Sequence, residues 1–270
     1  MSRLAENVSD TDTITRRNLK KILRVPDLLV FTLLSPIMFV LLFAFVFGSA
    51  IGSQDTGVSY REFLIAGIFA QTVVFGSTIT GAGIADDVQK GIVDRFRTLP
   101  MSPSAVLFGR TLSDVVNNVI VLVVMSLTGL LVGWRIRDGF LHALVGYLLL
   151  LVFAYAISWV MALIGLLVPS PEVVNNASFI IIFPLTFIAN TFVGLDTLPG
   201  PLKAFAEWNP ISAVTQAARE NFGNVPPGGG LATPSWALQN PEVYTLIWSA
   251  LVLAVFVPLT TRRYRRATSR

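Results

Sequence analysis

Residues able to do covalent chemistry are scarce in this chain. It has one histidine, His142, and no cysteine among 270 residues, so a zinc site or a Cys–His nucleophile has no ligands to draw on. Neither a His-Glu-x-x-His string nor a Gly-x-x-x-x-Gly-Lys-[Ser/Thr] phosphate loop occurs. No catalytic residue, no metal and no cofactor bound by this chain are expected. What remains is recognition chemistry, and it falls in two places. In Asp86–Pro100, Val88, Ile92, Phe96 and Leu99 project within about 80° of one another on a helix, while Asp86, Lys90, Asp94 and Arg97 take the other side. Arg95 projects beside the apolar ridge. A helix over 86–99 with Asp86–Lys90 and Lys90–Asp94 pairs can seat that ridge in a groove of a second protein; resting on lipid is the alternative. The second place is a set of rings, amides and hydroxyls inside apolar segments: Gln71, Phe75, Phe183, Thr186, Phe187 and Asn190. Thr186 and Asn190 are four apart and share a helical face. This mixture suits the wall of a path for an amphiphilic cargo, and helix–helix packing is the competing account.

The elements that carry these residues are membrane helices. Residues 28–54, 63–85, 115–134, 139–171, 173–195 and 243–261 contain no Asp, Glu, Lys or Arg, and ~20 apolar residues cross the hydrocarbon core. The fold class expected is an all-α membrane protein with six transmembrane helices at 28–47, 61–84, 112–134, 142–168, 173–194 and 243–261. With 53% hydrophobic and 13% charged residues, the chain carries about half the charge of an ordinary soluble domain. One membrane domain over 1–270 follows. The +4 net charge is a topology signal and no sign of nucleic-acid binding. Of the 20 Lys and Arg, six precede span 1, four lie between spans 2 and 3, and five follow span 6; the other side holds only Arg61, Arg135, Arg137, Lys203 and Arg219. By the positive-inside rule both termini and the 85–111 loop are cytoplasmic.

Residues 12–26 read as an amphipathic interfacial helix, with Leu19, Ile22 and Leu23 on one face and basic residues near lipid head groups, stopped by Pro26. Proline is expected to kink the helices at Pro36, Pro184 and Pro258. Trp134 is expected as an interfacial anchor. The outward segment 195–242 contains a helix start at Asn209-Pro210, a run with Ile211, Val214, Ala218 and Phe222 at helical spacing, and a stop at Gly223. A short helix followed by a Pro/Gly-rich loop is expected there.

A resemblance joins these features. Asp87 to Arg110, with Gly91, Arg95-Phe96-Arg97, Leu99-Pro100-Met101-Ser102 and Gly109-Arg110, resembles the loop of type-2 ABC exporter permeases, nearest the daunorubicin-resistance type. The likeness extends to Trp208–Arg219 and to the six-span layout. It implies that 86–99 is the coupling helix, with Val88, Ile92, Arg95, Phe96 and Leu99 contacting a separate ABC ATPase subunit. That subunit, present in two copies, would use ATP and Mg. It implies a second permease copy or paralogue, lipid contact, a connecting helix at 12–26, and a bacterial plasma membrane location. The cargo path, at the interface of two permeases, would take a drug, antibiotic or lipid.

Two other classes compete. An ion-coupled carrier usually places ionisable groups at mid-membrane, whereas Glu62, Asp114, Glu172, Glu207, Glu220 and Glu242 read as solvated or capping carboxylates near span ends. A non-transporting scaffold is disfavoured by the coupling-loop likeness. Reporter fusions at residue 270 and within 224–232 are expected to report opposite sides of the membrane; the same compartment for both would remove the six-span model.

Overall fold

The computed structural model describes residues 10–18, 26–47, 59–92, 103–192, 194–195, 198–225 and 235–267. Every element among them is helical. In chain order they are α1 (10–18), α2 (Pro26–Leu42, with a π-helical turn at Phe43–Phe47), α3 (Tyr60–Gly76), α4 (Thr78–Gln89), α5 (Pro103–Val132), α6 (Gly139–Leu167), α7 (Pro171–Phe187), α8 (Gly200–Trp208), α9 (Pro210–Phe222), α10 (Trp236–Gln239) and α11 (Pro241–Ala267). Among the described residues four stretches are long and apolar enough to cross a membrane: Tyr60–Gln89, Ala105–Val132, Gly139–Leu167 and Pro241–Arg265. Leu34–Val46 and Pro171–Phe187 are apolar but shorter.

At the centre stands α3, with Leu64, Ile65, Ile68, Phe69 and Val73 fully buried. Its first turn is capped by Ser59, whose side chain accepts from the Glu62 amide at 3.3 Å. The α3 helix ends at Gly76, and Ser77 sits at the joint before α4. The Ser77 hydroxyl donates to the carbonyls of Val73 (3.0 Å) and Ala154 (3.2 Å), which ties the break to α6. The second apolar stretch is therefore two helices, reaching Gln89 instead of stopping at 84. Below the joint, α4 and α6 approach backbone to backbone: a Cβ on Gly81 would lie 2.6 Å from the Met161 carbonyl oxygen, and one on Gly165 would overlap the Gly81 carbonyl. Only bare backbone fits at this crossing.

Two ends of the bundle are distinct. At the basic end, α1 docks on the start of α5 through Ile14, Thr15 and Asn18, all buried, and the Thr15 hydroxyl donates to the Gly109 carbonyl at 3.2 Å. The described part of the N-terminal helix thus packs on protein, and Leu19, Ile22 and Leu23 lie outside the described residues. At the opposite, hairpin end, α8 and α9 form a helical hairpin. Asn209 caps α9 by accepting from the Ile211 amide at 2.9 Å, and Gly223 closes it with φ +69°, a left-handed conformation that favours glycine.

The α9 helix is inserted between α3, α6 and α11. Every residue from Ile211 to Phe222 except Glu220 is buried, although Ser212, Thr215, Gln216, Arg219 and Asn221 are polar. Arg219, only 1% exposed, explains how this is tolerated. Its Nε donates to the Phe63 carbonyl (2.8 Å), and its Nη2 donates to the carbonyls of Asn190 (2.6 Å) and Thr191 (3.0 Å). The guanidinium also lies 3.5 Å from the centroid of the Phe63 ring. No carboxylate pairs with it among the described residues; backbone carbonyls and a ring face take that place.

Several expectations are corrected here. Arg219 is not a surface charge of the outer loop. Trp134 is no interfacial anchor: it is fully buried, edge-on to Phe69 and Phe222, and its Nε1 donates to Asn224 Oδ1 at 2.6 Å. Glu62 is buried and paired with Arg137 at 2.9 Å. Asp114 is not a solvated residue at a span end, because α5 starts at Pro103 and Asp114 is buried ~16 Å along it. Glu207 is buried too.

Replacing Arg219 by Met removes three charge-assisted hydrogen bonds, each worth about 1.5–3 kcal/mol, and leaves two helix-end carbonyls bare. The purified Arg219→Met chain is expected to melt several degrees below wild type in detergent, with Arg219→Lys in between. Equal melting temperatures for all three would show that the clamp contributes nothing to stability.

Candidate functional site

The four helices α2, α3, α5 and α7 do not close on one another completely. A cavity of ≈ 340 Å³ lies between them, beside the α3–α4 joint. Its walls are largely aromatic: Phe39 from α2, Phe75 from α3, and Phe179 and Phe183 from α7. Three side-chain amides interrupt them, Gln71 from α3 and Asn117 and Asn118 from α5. All three are buried. The α5 amides project together because Asn117 and Asn118 occupy the α5 face turned toward Gly76, where Asn118 Oδ1 would lie 2.8 Å from an added Cβ. No charged residue borders the cavity among the described residues.

Rings continue away from the cavity in an unbroken series. Phe75 and Phe179 have centroids 6.3 Å apart, Phe179 and Phe183 4.9 Å, Phe183 and Phe187 4.2 Å, and Phe187 and Phe192 4.9 Å. Phe192 then stacks on Phe43 at 4.6 Å. Spacing by four along α7 places its three rings on one face, and offset stacking holds them there.

The residues expected to line a cargo path therefore divide. Gln71, Phe75 and Phe183 meet at the cavity wall, and Phe187 joins them through the ring series. Thr186 and Asn190 do not. The α7 helix stops at Phe187, three residues past Pro184, so the four-residue spacing no longer puts Asn190 on a helical face with Thr186. Thr186 is buried and donates to the Phe183 carbonyl at 2.9 Å. Asn190 is buried against α9, with its backbone amide donating to Ser212 Oγ at 3.1 Å and its side chain to Gln216 Oε1 at 3.4 Å. The lining residues described here all belong to one chain.

Sequence reasoning missed Asn117 and Asn118. Their signal was present: two adjacent amides inside the charge-free run 115–134, where polar side chains are costly unless they are used.

At the basic end, α4 carries Val88, exposed at 41%, and the Lys90–Asp86 ion pair at 2.7 Å. The helix ends at Gln89. Lys90 caps it and Gly91 turns left-handed at φ +64°, so the expected single helix over 86–99 is interrupted before Ile92. Arg95, Phe96 and Leu99 lie outside the described residues. The positive φ available to glycine overrides the amphipathic periodicity that favoured continuity. Among the described residues no His, Asp and Glu cluster could hold a metal ion.

The sequence comparisons agree with this architecture. A family profile described as ABC-2 type transporter matches residues 10–222. The chain is 36% identical over 261 residues to the daunorubicin resistance ABC transporter permease protein DrrB1 of Streptomyces coeruleorubidus, covering 97% of this chain and 88% of that one. It is 23% identical over 236 residues to the probable doxorubicin resistance ABC transporter permease protein DrrC of Mycobacterium tuberculosis, at 87% and 80% coverage. A putative transport permease, ycf38 of Cyanophora paradoxa, is 22% identical over 214 residues, at 78% and 73% coverage. With the profile running from α1 to the end of α9 and one relative aligned along nearly the whole chain, this protein belongs to the ABC-2 type transporter family, as a membrane permease.

Proposed function

We propose that this permease exports amphiphilic compounds of drug, antibiotic or lipid type, driven by a separate ABC ATPase subunit that binds and hydrolyses ATP with Mg. The observation that carries the cargo class is the aromatic-walled cavity with three uncharged amides, which suits a body that is mostly apolar with a few hydrogen-bonding groups. Relatives whose names specify daunorubicin and doxorubicin resistance support it. The assembly proposed has two ATPases and two permease chains, the second a copy or a paralogue. Each permease crosses the bacterial plasma membrane six times, α2 and α7 included, with both termini in the cytoplasm. The short α7 is completed by residues 188–192 and the α8–α9 hairpin.

Energy would enter at 86–99. Val88, Ile92, Phe96 and Leu99 form the apolar contact in this proposal, with Arg95 beside it and a turn at Lys90–Gly91 dividing the segment. The α4 helix runs from the cavity edge at Ile79 to this turn, so the contact and the cavity share one helix. Truncating an aromatic anchor in a protein interface commonly costs ~2 kcal/mol or more, about 30-fold in affinity. Phe96→Ala and Arg95→Ala are expected to insert normally and to lose ATPase co-purification and transport, while Arg97→Ala keeps both. Wild-type behaviour of the first two at matched expression would place docking elsewhere. The purified permease by itself is expected to hydrolyse no ATP, and hydrolysis with contaminants excluded would refute the division of labour.

One observation favours a second reading. Asp114 is buried within α5 with Oδ2 unpartnered, as in ion-coupled carriers. The ABC reading expects export from energised vesicles to persist when a protonophore collapses the proton gradient at constant ATP. Export that stops under those conditions would favour ion coupling.

A further inference from the structure

We propose that the buried guanidinium of Arg219 carries a bound chloride ion, held by its free Nη1 and by the hydroxyls of Thr191 and Thr215 where α3, α9 and the chain after α7 meet. The site goes beyond the export reading and is independent of the cargo.

Charge balance points to an anion. Arg219 is 1% exposed, and a buried charge without a counter-charge is costly. The three carbonyls that it meets carry only partial charge. The neighbouring carboxylates are engaged elsewhere: Glu62 pairs with Arg137 at 2.9 Å, Glu220 accepts from Gln216 Nε2 at 2.9 Å, and Glu242 accepts from Asn221 Nδ2. Arginine does not shed its proton to escape the cost. One small monovalent anion restores neutrality. A water molecule would fill hydrogen bonds and leave the charge, and a divalent oxyanion would overcompensate it.

The donors that an anion needs are present and unused. Nη1 of Arg219 carries two N–H groups and is enclosed without an acceptor among the described residues, and the Thr191 and Thr215 hydroxyls are enclosed without a partner too. Both threonines are fully buried. By contrast Thr111, Thr128, Thr245 and Thr261 donate to the carbonyl four residues back. Thr215 precedes Arg219 by one turn of α9, and long helical side chains lean toward the N-terminus. The guanidinium does reach that level: its Nη2 bonds the carbonyl of Asn190, whose amide and side chain bond Ser212 and Gln216. Thr191 is held beside Arg219 by its own carbonyl, 3.0 Å from Nη2. Gly67 on α3 permits this approach, since a Cβ there would overlap the Thr191 carbonyl. Asn190 Oδ1 is also enclosed without a partner, but it is an acceptor and no ligand for an anion.

The test uses the full-length permease in lipid nanodiscs, moved from chloride to gluconate at fixed ionic strength. Wild type is expected to bind radiochloride saturably at one ion per chain, with empty discs as the blank. It should melt several degrees higher in chloride than in gluconate, and bromide should substitute for chloride. Thr191→Val and Thr215→Val keep the side-chain shape and remove one donor each. Each should weaken chloride binding roughly tenfold and melt with wild type in gluconate, because neither hydroxyl has a protein partner to lose. Arg219→Met should bind no chloride and melt alike in both salts; if it does not fold, the threonine variants decide. The proposal is overturned if wild type binds no saturable chloride, the result expected of a water molecule in the same place. It is equally overturned if the double threonine variant binds chloride as wild type does, or if that variant loses as much stability in gluconate as in chloride, the result expected of hydroxyls that serve packing alone.

Discussion

A buried guanidinium without a carboxylate is the contact on which this architecture turns. Helix α7 is 17 residues long, ~25 Å at 1.5 Å per residue, less than the ~30 Å of hydrocarbon in a bilayer. The chain leaves helical geometry after Phe187, inside the bundle, and the carbonyls of Asn190 and Thr191 are left to partners outside the helix. Unpaired backbone groups are not tolerated in an apolar surrounding. Arg219 supplies donors to two of those carbonyls and, through Nε, to a third on α3. Asn209 supplies two more from the other end of α9, to Leu185 and Ile188. The α9 helix is thus a polar plug whose side chains complete a neighbour's backbone, and its own burial follows from that service.

The same plug fixes the neighbouring turns. Phe222 packs against Phe69, Trp134 and Tyr147, the Arg137 amide donates to the Phe222 carbonyl at 2.9 Å, and Arg137 reaches Glu62 on α3. Helix α2 joins this frame through its C-terminal end. Arg61 Nε donates to the Ala44 carbonyl at 3.2 Å, and Phe43 stacks on Phe192. The cavity lies on this side, lined by α2 and α7 opposite α3 and α5.

Much of this could be read from the residue order, and the misses share a cause. Charge-free runs located the apolar helices because burial in lipid or protein excludes Lys, Arg, Asp and Glu in the same way. Asn209-Pro210 and Gly223 marked the ends of α9 because capping and left-handed closure are local chemistry. Burial of Arg219 and Trp134 was not legible, since it depends on which helix lies opposite, and a polar helix such as α9 looks like a surface element when only its own composition is read. Asp114 was misplaced because α5 begins at Pro103, nine residues before the expected 112. Thr186 and Asn190 were paired on a helix that ends at Phe187, and the 86–99 periodicity ran across a glycine whose φ is positive. Gln71, Phe75 and Phe183 line one cavity, and the amide stood out in the sequence because a polar side chain in an apolar run is costly unless it is paired. Asn117 and Asn118 satisfied the same criterion and were passed over beside them.

The Gly81–Gly165 crossing has a mechanical meaning. It brings two backbones together with no side chain between them, so α4 cannot slide along α6 without forcing main-chain atoms into one another. The Ser77 joint lies one turn above the crossing, and Gln89 lies eight residues below it, an arm of ~12 Å. The short side of this lever ends beside the cavity and the long side ends at the Lys90–Gly91 turn. With the crossing as fulcrum, a sideways displacement at Gln89 arrives at Ser77 reversed in direction and about halved in amplitude.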